Sequence, residues 1–138
     1  MTKNFNIRTY ACVIKEKAVL GLFERYRGKN LLKFPGGGLE YGEGLIDCLH
    51  RELEEELSAK IKILEHLYTQ DSLIESHFED GNQLLSIYYI AQFTHEDNFI
   101  IKEQCIEKAE WISIEKHENP FSLPSDRIAF NKLKEKFL

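Results

Sequence analysis

Glu52, Glu55 and Glu56 stand at i, i+3 and i+4. On a helix turning about 100° per residue they share one arc of about 100°, while Glu54 points away. Like charges at these spacings repel by a few tenths of a kcal/mol per pair in water, and by more where the helix is partly buried. Glu56 projects between Leu45 and Leu49, at the edge of an apolar stripe, where an unpaired charge is disfavoured. The set calls for a cation. Magnesium is the best match, because it takes oxygen ligands, keeps some of its water and is usually held by carboxylates together with substrate phosphates; Mn²⁺ is the alternative. Arg51 is expected to neutralise one of these glutamates but not three. The competing reading is a solvated acidic helix face.

What precedes the acids favours the metal. Pro35, Gly36, Gly37 and Gly38 read as a tight glycine turn in which backbone can approach a ligand without a Cβ clash. Its amides can meet an anion and a carbonyl can turn toward a metal. The helix that follows has its own reason to exist, since Ile46, Leu49, Leu53 and Leu57 fall within an arc of roughly 80° and form a core-facing stripe. Gly44 is an acceptable N-cap, and Glu43 suits a helix start through the macrodipole.

Gly37, five residues, Glu43, seven residues, then Arg51-Glu52-Leu53-x-Glu55-Glu56 resembles the signature box of the Nudix hydrolases, which cleave a nucleoside diphosphate linked to another moiety. The resemblance implies an α/β/α sandwich with a mixed central sheet and helices on both faces. It also implies catalytic and Mg²⁺-holding roles for Glu52, Glu55 and Glu56, with the Gly37 carbonyl completing the ligand set and either Glu52 or Glu55 as general base. Glu43 is then structural, paired with Arg51 to brace the loop. Where the family has glycine and an aliphatic residue after the last glutamate, this chain has Ser58 and Ala59, so the helix end is expected to shift or run on. Proteins of similar appearance that bind a nucleotide without cleaving it usually have eroded box acids; here all three are intact. An isomerase would need its own acid and base in a context this sequence does not show.

Substrate phosphates need further donors, and backbone of Gly36, Gly37 and Gly38 can give some. Arg25 and Arg27, in the basic stretch FERYRGKNLLK, are the side-chain candidates, since a guanidinium matches phosphate with a fork of donors. Relatives often draw one more acid from the loop before the strand at Trp111. Glu103 and Glu107 are available there, with Cys105 at the position where that acid often falls. The proline that marks some ADP-ribose enzymes and the tyrosine of some dinucleoside polyphosphate enzymes are both missing near 74–77. The lean is toward a nucleoside triphosphate or a small nucleotide conjugate. His77, near several acids, reads as an exposed loop histidine.

The elements needed to hold this set follow from hydrophobic spacing. Strands are predicted over 7–15 and 18–24, joined by Glu16-Lys17, then over 31–34, 60–68, 83–93 and 110–114. The run 83–93 is apolar almost throughout, as in a central strand. Trp111 reads as packing. A second helix after Ser125, its predicted cap, has an apolar stripe of Ile128, Ala129, Leu133 and Phe137.

With 138 residues, 43% of them hydrophobic and 30% charged, one globular domain over 1–138 is expected. A net charge of −5 disfavours a nucleic-acid polymer as partner. No apolar run approaches the 18 or so residues of a membrane span. Three cysteines without a C-x-x-C pair argue against a disulfide framework, and a reducing cytoplasm is the expected setting. The partner is a small nucleotide; a homodimer stays open.

Overall fold

The structure, a computed structural model, describes residues 4–74, 81–95, 99–115 and 117–138. Seven strands and two helices follow one another as β1 (Phe5–Lys15), β2 (Ala18–Tyr26), β3 (Lys29–Lys33), β4 (Gly36–Gly38), α1 (Leu45–Leu57), β5 (Ile61–Thr69), β6 (Gln83–Phe93), β7 (Ile106–Ser113) and α2 (Pro124–Phe137). The strands are those the hydrophobic pattern predicts, with two differences. The glycine segment is itself a strand, and the strand at Trp111 starts earlier, at Ile106.

The sheet is mixed. β1 runs parallel to β6 from Phe5↔Gln83 to Val13↔Ala91, and β6 pairs antiparallel with β5. On its other edge β1 meets β2 only at Ile14↔Val19 and Lys15↔Ala18, beside the Glu16-Lys17 turn where Glu16 has φ 55°. There the strands part. β2 continues between β3 and β7, while β1 takes β4 against Arg8, Thr9 and Tyr10. The sheet therefore divides into two leaves, and the functional candidates gather where they separate.

Alternation along β1 builds two cores. Tyr10 and Cys12 belong to the cluster holding Ala129, Phe130 and Leu133 of α2, together with Phe34, Tyr88 and Phe121. Ala11 and Val13 belong to the one holding Leu49, Leu53 and Leu57 of α1, with Leu20 and Leu22. The period of two puts successive residues on opposite faces, so the helices cover the two sides of the sheet. Trp111 packs at the edge of the α1 cluster against Phe93.

Four details differ from the sequence reading. Ile46, expected in the core, is 37% exposed, while Cys48 and Leu49 are buried. Phe137 is likewise largely outside; Phe130 is buried in its place. Ser125 does not cap α2. Leu123 holds that position with Pro124 after it, and the serine hydroxyl bonds Tyr88 instead. Finally, α1 neither shifts nor runs on at Ser58: that residue takes the left-handed conformation, φ 52° and ψ 37°, usually left to glycine.

Candidate active site

Two of the three glycines of β4 are crowded. At Gly36, with φ 147°, a Cβ would fall 2.1 Å from the Thr9 carbonyl oxygen. At Gly37 it would fall 2.4 Å from Cδ of Glu52, so the missing side chain is the space where that carboxylate lies. The Ala11 N–H donates to the Pro35 carbonyl at 2.9 Å and the Leu39 N–H to the Ile7 carbonyl at 2.8 Å. The Thr9–Gly37 pair lies midway between them, in the same class of directly bonded pair. Gly37 thus turns its carbonyl to β1. Gly36 and Gly38 present their polar groups to α1, and the Cys48 Sγ lies 3.9 Å from the Gly37 carbonyl oxygen.

Glu56 uses that arrangement. Its Oε1 accepts the Gly36 N–H at 2.8 Å, and the residue is only 6% exposed. Burial pushes its carboxyl up to about 8, against the pull of Lys33 and the Gly36 amide, with Glu52 and Glu24 adding repulsion. Glu52, one turn earlier, is half-buried, and burial raises its carboxyl too.

Arg51 does more than the sequence suggested. Its Nε and Nη2 donate to the two oxygens of Glu43 at 3.1 and 2.7 Å, a bidentate pair. Nη2 also reaches the Gly38 carbonyl at 2.9 Å, and Nη1 lies 3.0 Å from Glu52 and 3.1 Å from Glu55. Of the three helix acids the guanidinium thus serves two, Glu52 and Glu55, where one was expected, and it also pairs with Glu43 and lies 3.6 Å from Glu40. Its hydrogen bonds hold Glu43 down to about 2. The Glu40 N–H donates to Glu43 as well, at 2.9 Å, so the segment between β4 and α1 is fixed from both sides.

Strands β1, β2 and β3 contribute residues that the motif does not contain. Lys33, at the end of β3, is buried and pairs with Glu24 of β2 at 2.9 Å. Burial opposes its charge, but Tyr10, Glu24 and Glu56 outweigh it and keep it protonated. Arg8 of β1 donates from Nε to the Tyr10 hydroxyl at 2.6 Å. Burial works against its charge also, and Tyr10, Glu52 and Glu24 more than compensate. A sequence signal existed: Glu24 extends the period-two face of Leu20 and Leu22, a charge where an apolar residue belongs.

The other predicted residues have contacts of their own. Arg25 is paired with Glu107 and, with Gln104 and Cys105, lines a cleft. Arg27 sits in the β2–β3 turn with φ 49°, its guanidinium over the Tyr26 ring. Neither is brought to the glutamates by these contacts. Glu103 gives its carbonyl to the Ile106 N–H at 3.1 Å, and Cys105 places its thiol 3.3 Å from Glu24. His77 lies outside the described residues.

A hard divalent cation suits the donors present. They are all oxygen, and one is a buried carboxyl that is costly to ionise with a single backbone N–H as its hydrogen bond. Glu52 and Glu55 already share Arg51, so a cation competes with the guanidinium for them. Among the described residues no three acidic, histidine or cysteine side chains form a ready-made cage.

Comparison with known proteins agrees with this architecture. A mouse protein named nucleoside diphosphate-linked moiety X motif 6 is 30% identical over 132 residues, covering 90% of this chain and 41% of that protein. The chain thus spans less than half the length of this curated relative. Among solved structures, a MutT NUDIX hydrolase from Burkholderia pseudomallei superposes with a TM-score of 0.77 at 20% identity, covering 94% of this chain and 98% of its own. The MutT protein from Methanosarcina mazei Go1 does so with 0.78 at 20% identity, covering 99% and 97%. These show the fold. With the NUDIX domain pattern matching residues 5–132, the chain belongs to the NUDIX domain family.

Proposed function

We propose that the chain is a Mg²⁺-dependent hydrolase that cleaves a phosphoanhydride bond in a nucleoside diphosphate linked to another moiety, by attack of water at phosphorus. The supporting observation is the buried Glu56 carboxyl, joined to the Gly36 amide and facing Glu52 across one helical turn. Glu52, Glu55 and Glu56 would hold the ion, with the Gly36 carbonyl as the nearby backbone oxygen in place of Gly37's. When bound, Mg²⁺ supplies positive charge to the phosphoryl oxygens and lowers the pKa of water.

In such a transfer the protein positions and stabilises charge and does little covalent work. Glu52 or Glu55 would take the proton of the attacking water. Arg51, donating to Glu52 and bonded to Glu43, fixes that carboxylate against the space above Gly37. The mouse relative's name fits a nucleotide-conjugate substrate, and a nucleoside triphosphate is equally compatible with this site.

The sharing of Glu52 and Glu55 by Arg51 favours a second reading, a module that binds a nucleotide without cutting it. A panel of nucleoside triphosphates and nucleotide conjugates with Mg²⁺ or Mn²⁺ and coupled phosphate or pyrophosphate detection separates the two. Product from one member, abolished in Glu55→Gln, supports hydrolysis. Tight binding with no product supports the module.

A further inference from the structure

Arg25, Gln104, Cys105 and Glu107 line a cleft of about 350 Å³ where β2 meets the start of β7. Its base is fixed by backbone, since the Arg25 N–H donates to the Cys105 carbonyl at 2.8 Å. The lining is polar but carries no net charge, because Glu107 cancels Arg25. A phosphate meets no uncompensated cation here. An uncharged heterocycle does find partners: the guanidinium offers a flat face on which a base can stack, and Gln104 a carboxamide with a donor end and an acceptor end.

One wall of the cleft leads to the acids. The Cys105 thiol lies 3.3 Å from Glu24, and Glu24 pairs with Lys33 at 2.9 Å. Lys33 stands three residues before Gly36, whose N–H meets Glu56 at 2.8 Å, and three residues of extended chain span about 10 Å. Alternation agrees. Glu24 falls on the face of Leu20 and Leu22, and β3 sets Lys33 opposite Leu22, so both point to the side of the sheet that α1 covers. Both also act on the Glu56 charge. A diphosphate beside Glu52 and Glu56 therefore has this cleft on the far side of the Glu24–Lys33 pair.

Resting on the hydrolase reading above, we propose that the cleft takes the nucleobase of the substrate, stacked on Arg25 and hydrogen-bonded by the Gln104 amide. Arg25 then touches the substrate through its base and not through its phosphates.

Cys105 supplies the reporter, since it is exposed whereas Cys12 and Cys48 are buried. The full chain in Mg²⁺ buffer is alkylated with N-ethylmaleimide and followed by intact mass. The additions are the α,β-methylene analogues of ATP, GTP, CTP and UTP, and methylenediphosphonate, a diphosphate that has no base. At least one analogue, at about ten times its dissociation constant, should slow labelling of Cys105 about tenfold, while methylenediphosphonate changes it less than about twofold. In calorimetry, Gln104→Ala and Arg25→Ala should each weaken that analogue about tenfold, the worth of one hydrogen bond or one stacked base, and leave methylenediphosphonate within about twofold. Both side chains are exposed, and a surface ion pair adds little to stability, so both variants should fold. If no analogue protects Cys105, if methylenediphosphonate protects it equally, or if either variant binds the analogue within about twofold of wild type, the assignment is overturned. Loss of methylenediphosphonate binding in Arg25→Ala overturns it too, by making Arg25 a phosphate ligand. Failure of the wild type to cleave any panel member sinks the hydrolase reading, whereas alkylation and calorimetry still decide the cleft.

Discussion

Replacing Glu56 by glutamine should stabilise the metal-free protein at neutral and alkaline pH while removing its Mg²⁺-dependent turnover. The Glu56 carboxyl stands at about 8, against an ordinary value of 4.5. A carboxyl whose folded pKa is raised favours folding in its protonated form. Its contribution is complete below pH 4.5 and is lost as pH rises through 8. At 1.36 kcal/mol per unit, the full loss is about 5 kcal/mol, of which about 3 falls between pH 5 and pH 8. Glutamine keeps the acceptor for the Gly36 N–H and carries no charge, so the variant escapes this slope. Urea denaturation in EDTA at pH 5 and pH 8, for wild type and Glu56→Gln, gives the gap between the two as a function of pH. It should widen by about 3 kcal/mol toward pH 8. A change below about 1 kcal/mol would show that the carboxyl ionises freely and refute the reasoning from burial. Adding Mg²⁺ to the wild type at pH 7 should release about one proton, read by calorimetry in buffers of different ionisation enthalpy.

Three further substitutions follow from the geometry. Gly37→Ala puts a methyl where the Glu52 carboxylate lies, 2.4 Å from Cδ; turnover should fall about a hundredfold or more, with circular dichroism unchanged. Ser58→Gly relieves a left-handed serine and should raise stability by about 1 kcal/mol in denaturant titrations. Asp126, wholly buried, is pushed up to about 6 by burial. Its stabilising effect is therefore complete below its ordinary 3.8 and lost as pH rises through 6. Asp126→Asn should abolish about 3 kcal/mol of pH dependence over that window, measured in the same denaturations.

Most of the architecture was legible because it rests on periodicity. The strand-like runs at 7–15 and 18–24, the almost wholly apolar run 83–93 and the helical stripe of Leu49, Leu53 and Leu57 state which parts of each element are buried. The glycine segment was harder. Gly36-Gly37-Gly38 has the composition of a turn, and what makes it a strand is the long-range approach of Thr9 and Tyr10, which no local pattern encodes. The same limit hid Arg8, Glu24 and Lys33. They come from three strands and reach the site only because β1 and β2 part after two rungs. Arg51 was underestimated for a related reason: spacing gives the angle of a residue on a helix, but not how far a long side chain bends back over the segment before it.

The pairing of β1 with β6 decides when any of this can exist. Ala11 and Val13, made before the motif, and Ala91, made after it, lie in one cluster with the leucines of α1. The motif itself is complete by residue 56, yet its helix lacks a finished floor until the far strand arrives. Contacts so distant in sequence form slowly, since closing a long loop precedes any gain from the pairing. A fragment ending after the motif should thus contain every acid and none of their proximity. In this chain, competence to gather charge waits for strands made after the motif.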